Sequence, residues 1–127
     1  MQPENLSSTA RVFCWDDLSV DHPADLIDRR RIIGERMMIS HVTLHEGFHV
    51  PLHSHCNEQF AVVLSGRVRF SLVDPANGET SEQILGSGEV LWVPGNVVHG
   101  ATAEETSVIL DLFSPISQTT GVDQPDK

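Results

Sequence analysis

From Ile32 to Phe113 the chain runs as short apolar stretches separated by Gly, Pro and Asn, and no apolar stripe of helical period is sustained for three turns. That texture predicts strands. They are expected at Arg36 to Leu44, Gln59 to Ser65, Arg67 to Val73, Glu89 to Val93 and Thr106 to Phe113, each near the usual strand length. Gly66 joins two of them tightly. In Asp74-Pro75-Ala76-Asn77-Gly78, Pro presets φ while Asn and Gly tolerate left-handed conformations, so the segment reads as a hairpin tip. Five or more such strands in 127 residues suggest a sandwich or small barrel, because closure removes exposed sheet edges. The expected fold class is all-β.

Residues 1–30 are polar and acidic, with Asp16, Asp17, Asp21, Asp25 and Asp28 broken by Pro23 and closed by Arg29-Arg30-Arg31. They read as an N-terminal arm. A barrel over residues 31–115 and a tail over 116–127, mobile at its end, complete the division.

Eight Lys and Arg against eighteen Asp and Glu give a net charge of −10, whose field repels phosphate backbones and anionic lipid. Neither nucleic acid nor a membrane surface is an expected partner. The longest apolar run, Phe60 to Leu64, is far short of the roughly 20 residues of a spanning helix. Met1-Gln2-Pro3-Glu4-Asn5 has no basic or apolar stretch of an export signal, so a cytoplasmic location is expected. Cys14 and Cys56 make no disulfide framework and are read as thiols.

The chemistry-bearing stretch is Gly47-Phe48-His49-Val50-Pro51-Leu52-His53-Ser54-His55-Cys56-Asn57-Glu58-Gln59. Strand side chains alternate faces, so an unbroken extended register puts His53, His55 and Gln59 on one side and Glu58 on the other. A second segment, from Gly86 to His99, places another imidazole after a strand and a Pro-Gly turn. Long-range pairing could bring His99 to the first three. Three imidazole nitrogens and one amide oxygen suit a divalent first-row metal, with water completing the shell. A single His on a strand is usually a surface or core residue, and His-x-His alone is a weak pattern. The spaced glycines, Gln59 and the second Pro-Gly segment strengthen it.

These two segments resemble the paired motifs of the cupin superfamily. The matching residues are Gly47, His53, His55, Gln59 and Gly66, then Gly88, Pro94 and His99. The resemblance covers about residues 30–115. It implies a small double-stranded β-helix or jelly-roll barrel, a metal on its inner wall and a homodimer. In place of the frequent Glu ligand stands Gln59, and Gly100-Ala101-Thr102-Ala103 follows His99 without the Asn often found there.

Three neutral imidazoles and a neutral amide leave the full divalent charge on the ion, which favours Lewis-acid chemistry over redox. Nickel, zinc, manganese, iron and cobalt all suit such a set. His49 reads as a surface or supporting residue, and for His41 and His45 both a cavity-facing and an outward position stay open. Cys56, next to His55, is expected to be a packed thiol rather than a nucleophile, and Glu58 a surface or interface carboxylate. Trp92, Phe60 and Phe70 read as core or dimer-face residues.

Asp111 stands in an otherwise apolar strand, Val108-Ile109-Leu110-Asp111-Leu112-Phe113, where an unpaired carboxylate would be costly. Either it pairs with one of Arg29 to Arg31 or bonds a turn, or it projects into the cavity as a general acid or base, with substrate-contacting Ile109 and Phe113 on the same face. Within the cupins, Arg30, Arg31, Met37, Met38, Asn57, Glu58, Gln59, Asp111, Phe113, Ser114 and Pro115 resemble the KdgF type of pectin degradation. That resemblance implies opening or tautomerisation of unsaturated uronates, with Asp111 moving protons. The arginine of that type that holds the carboxylate is replaced by Ser117.

The functional expectation is therefore a metal-dependent isomerase, tautomerase or lyase for a small oxygenated, sugar- or uronate-like metabolite. His53, His55, Gln59 and His99 hold the metal, and Asp111 is the proton carrier. The alternatives are a non-catalytic cupin that binds a metal or small ligand, and a metal-dependent oxygenase. Cupins that cleave sulfoniopropionates rely on a tyrosine base, and this chain has no Tyr.

Overall fold

Met38–Leu44 shows why the chain forms sheet: Met38, Ser40, Val42 and Leu44 are buried while Ile39, His41 and Thr43 lie half-buried on the opposite face. The computed structural model describes residues 9–116, with nine strands among them, and this period of two recurs clearly in the strands Glu58–Ser65 and Arg67–Val73. The nine are β1 (Ile27–Ile33), β2 (Met38–Leu44), β3 (His49–His53), β4 (Glu58–Ser65), β5 (Arg67–Val73), β6 (Thr80–Gly86), β7 (Val90–Val93), β8 (His99–Ala103) and β9 (Ser107–Ser114). All pair antiparallel, in one sheet of order β1-β2-β9-β4-β7 and another of order β3-β8-β5-β6. The result is a jelly-roll barrel, all-β as the hydrophobic pattern indicates. No helix among the described residues is long and apolar enough to cross a membrane.

Strand register sets the rows that line the inner wall of the larger sheet. One row runs Arg29, Val42, Ile109, Val63, the next Arg31, Ser40, Asp111, Ala61, and the next Ile33, Met38, Phe113, Gln59, Val93. Ile27, Val42, Leu44, Val63, Val68, Phe70 and Ile109 join the buried apolar cluster, and each large side chain there contributes about 1.5–3 kcal/mol by leaving water. Ser40, Asp111 and Gln59 put polar groups on the wall beside it.

Three differences from the sequence expectation have physical causes. β1 starts at Ile27, inside the stretch read as arm: its three arginines disguise an alternation in which Ile27 and Arg29 face inward. β3, β6 and β8 carry no legible apolar signal. The first holds Pro51 and the second is exposed along most of its length, both at sheet edges, and the third is His-Gly-Ala-Thr-Ala. The strands at Met38 and Val90 begin one or two residues later than expected. The tail beyond Ile116, including Ser117, lies outside the described residues.

Gly66, between β4 and β5, has φ 94°, and a Cβ there would run into Ser107. The Ser107 hydroxyl accepts the Arg67 N–H at 2.9 Å, so the tight turn and the buried serine form one unit.

Candidate metal centre

His53 on β3 and His99 on β8 are direct cross-strand partners, with ring centroids 4.4 Å apart. His55 follows β3 in the connection to β4, its ring 5.6 Å from that of His53 and 5.0 Å from that of His99. One nitrogen from each of the three lies within 4.8 Å of the others, a spacing that could hold a metal ion. Gln59, buried on β4, enters the same cavity from the other sheet.

The expectation of one unbroken extended register is corrected here. Register slips between Val50 and His53, β3 ends at His53, and β4 starts only at Glu58 on the opposing sheet. The residues converge because the chain crosses from one wall to the other between them. Glu58 is exposed and accepts the Trp92 indole N–H at 2.7 Å.

Each imidazole is fixed by a backbone carbonyl: Nδ1 of His53 to Pro51 at 2.8 Å, of His55 to Asn57 at 3.1 Å, and of His99 to Val97 at 2.8 Å. A carbonyl only accepts, so in the neutral ring the proton is assigned to Nδ1 and the lone pair to Nε2. Burial holds the pKa of His55 below 6.5 and takes that of His99 from 6.5 down to about 4, and the neighbouring imidazoles push both the same way. His55 and His99 therefore favour the neutral, ligating ring.

His55 Nε2 and Gln59 Oε1 are buried and have no hydrogen-bond partner. Leaving such atoms unsatisfied costs about 1–3 kcal/mol each. Both are lone-pair acceptors with no proton to offer, so they face a species that donates twice or a cation, and the convergence of His53 and His99 on the same point favours the cation. The donor set fits a divalent metal. Gln59 Nε2 donates to Asp111 Oδ1 at 3.0 Å, which turns the amide oxygen away from the carboxylate. Burial pushes the Asp111 carboxyl from 3.8 up to about 6, against the opposing pull of the Gln59 bond.

A cavity of about 70 Å³ adjoins this cluster. Ile109, Asp111 and Phe113 line it from β9, and the Phe113 ring stands edge-on to His55 at 5.7 Å. Of the two readings of Asp111, the cavity position is the observed one; its partner is Gln59, and the carboxylate that Arg29 holds is that of Asp21. Arg29 and Ser40 also border the cavity and were not among the candidates. The signal for Arg29 was its even spacing from Ile27 within the charged run.

The remaining histidines face elsewhere. His41 lies 5.2 Å from Trp15, His45 Nε2 meets Asp28 at 2.9 Å, and His49 meets Thr102 at 2.8 Å. Cys56 is exposed rather than packed, because it sits in the crossover and not in a strand. Phe70 is core, whereas Phe60 and Trp92 pair across β4 and β7 on the exposed outer face.

Residues 40–113 match the family model described as the cupin domain. The chain belongs to the cupin family. The cupin is similar in structure to an RmlC-like cupin from Shewanella frigidimarina, with TM-score 0.76 and 19% identity over 87% of this chain and 95% of that one. It is also similar to KdgF from Halomonas sp., with TM-score 0.74 and 26% identity over 84% and 96% of the two chains. Bacillus subtilis oxalate decarboxylase gives TM-score 0.74 and 21% identity over 91% of the cupin, which spans 35% of that longer chain. No curated protein matches the sequence.

Proposed function

We propose that this cupin is a metal-dependent isomerase, tautomerase or lyase acting on a small oxygenated metabolite of the sugar or uronate kind. The observation that carries the reading is the Asp111 carboxyl in the cavity wall, bonded to Gln59 beside three converging imidazoles. His53, His55, His99 and Gln59 would hold one divalent first-row ion. When bound, it supplies Lewis acidity to a substrate oxygen or water.

The chain's own residues do the rest. Asp111 is the acid and base that moves a proton on the substrate. Ile109 and Phe113 form the apolar wall that positions the substrate and excludes water, which strengthens each electrostatic contact inside. The likeness to KdgF at 26% identity supports this class over the fold resemblance alone. We further propose a homodimer through the outer face that carries Phe60, Leu64, Val90 and Trp92, all exposed.

Elemental analysis of purified protein should find about one first-row metal per chain, lost in the double variant His53→Ala and His55→Ala; metal retained by that variant rejects the site. An absorbance-decay screen with unsaturated uronates then tests activity. Asp111→Asn should keep the metal and slow turnover, whereas unaltered turnover, or no acceleration by the metal-loaded protein, retires the enzyme reading.

A further inference from the structure

Of the three clustered imidazoles, His55 alone is carried by no strand. His53 and His99 sit on β3 and β8, whose pairing holds their backbones against each other. The crossover that carries His55 is held instead from two other parts of the chain. In the turn before β8, the Asn96 N–H donates to the His55 carbonyl at 2.7 Å, and Gly95 lies so near the Cys56 carbonyl oxygen that a Cβ there would come to 2.6 Å. Just beyond β9, the Pro115 carbonyl accepts the side-chain N–H of Asn57.

Asn57 is 2% exposed. A side-chain amide buried there gives up its water, whereas an aliphatic of similar size would be buried at a gain. Closing the crossover onto β9 does not call for an amide, because the next residue, Glu58, is already paired with Ser114 in the ladder. What the amide adds is a fixed direction for its own backbone. The Asn57 carbonyl accepts the Nδ1–H of His55, and at 3.1 Å that bond is the longest of the three that orient the imidazoles, the other two being 2.8 Å. A displacement of about half an ångström takes it past hydrogen-bond reach. The neutral ring is then free to carry its proton on Nε2, which puts an N–H where an ion needs a lone pair.

We propose that Asn57 is the positioning residue of His55: its buried amide, anchored on the Pro115 carbonyl, sets the backbone carbonyl that keeps this imidazole in the Nδ1–H tautomer. Its effect on metal affinity rests on the centre described above, while its effect on the tautomer belongs to the metal-free chain and is read without an ion. The other two rings serve as internal controls. His53 is held by the Pro51 carbonyl and His99 by that of Val97, and neither bond involves Asn57.

The test is side-chain nitrogen NMR of the isotope-labelled, metal-free protein at mildly alkaline pH, with the His55 signals assigned by their loss in His55→Gln, followed by calorimetric titration of nickel. In wild type, His55 should be a single Nδ1–H tautomer. In Asn57→Ala its two nitrogens should move to the averaged shifts of a ring exchanging between tautomers, while those of His53 and His99 stay in place, and nickel affinity should fall by about tenfold or more. Should Asn57→Ala not fold, Asn57→Gln displaces the same donor by one carbon and should also mix the His55 tautomers. A single His55 tautomer retained in these variants, a change spread equally over the three histidines, a wild type in which His55 already exchanges, or wild-type nickel affinity in a variant with mixed His55 tautomers overturns the proposal. A tautomer that depends on Asn57 in a protein that binds no nickel sustains it while the metal reading fails; nickel binding indifferent to Asn57 is the reverse.

Discussion

The Gln59 amide N–H meets the Asp111 carboxylate at 3.0 Å, and that bond decides which end of the amide is left for the histidines. A carboxylate accepts and cannot donate, so it selects nitrogen and leaves oxygen bare. Asp111→Ala removes the selection, and metal affinity should fall by about 10–100-fold in competition with a chelating dye. Asp111→Asn can still accept through its own amide oxygen. It should bind metal nearly as wild type does but turn over an unsaturated uronate about 10²–10⁴-fold more slowly. Wild-type metal affinity in both variants would remove Asp111 from the orienting role.

Acid should act on the metal-free protein through His99 and Asp111 in opposite directions. His99 is lowered from 6.5 to about 4, so the unfolded chain binds a proton first. Its contribution to stability is complete above pH 6.5 and is lost as pH falls through 4, in total about 3 kcal/mol. Asp111 is raised from 3.8 to about 6, so its contribution is complete below pH 3.8 and lost as pH rises through 6. The two nearly cancel, and His55, also held below 6.5 by burial, leaves wild type with the smaller acid destabilisation that remains. Metal-free Asp111→Asn should therefore show a steeper acid destabilisation between pH 6.5 and 4 than wild type does. Urea midpoints measured across that window decide it, and parallel curves for the two proteins would contradict the balance.

Two glycines separate backbone strain from overlap. Gly78 has φ 75° and open space around a built Cβ, so Gly78→Ala should cost only the backbone term, about 1 kcal/mol. Gly66, at φ 94° and against Ser107, should cost more than that, about 2–4 kcal/mol, because the buried serine has to move. Equal denaturation midpoints for the two variants would exclude the overlap.

The proposed dimer predicts a charge-sensitive outer face. Trp92 is 55% exposed beside Phe60 and Glu58. Trp92→Glu adds a second carboxylate to that patch and should shift the sedimenting species from two chains to one, with the barrel's circular dichroism unchanged. A wild-type protein that sediments as a single chain at all concentrations rules the dimer out.

The sequence showed the architecture wherever alternation was written in apolar letters, as in β2, β4, β5 and β9. It hid β1, because an inward Arg29 looks like part of a charged arm until Asp21 is seen holding it. It hid β3 and β6, because edge strands need only one paired side and so tolerate Pro51 or a run of exposed residues. His53, His55, Gln59 and His99 were legible as residues through spacing, and they do meet in one cavity. The route by which they meet was not, since a slipped register and a change of sheet leave no mark in a count of residues. Ser40 carried no signal, because one inward serine is indistinguishable in sequence from an outward one.

His53 and His99 belong to one wall of the barrel and Gln59 to the other, with His55 on the span between. An ion bridging them would rivet the walls together, so occupancy and closure become a single equilibrium. Chelation would then loosen the whole barrel rather than one pocket, and resistance to heat and to proteases would report metal supply.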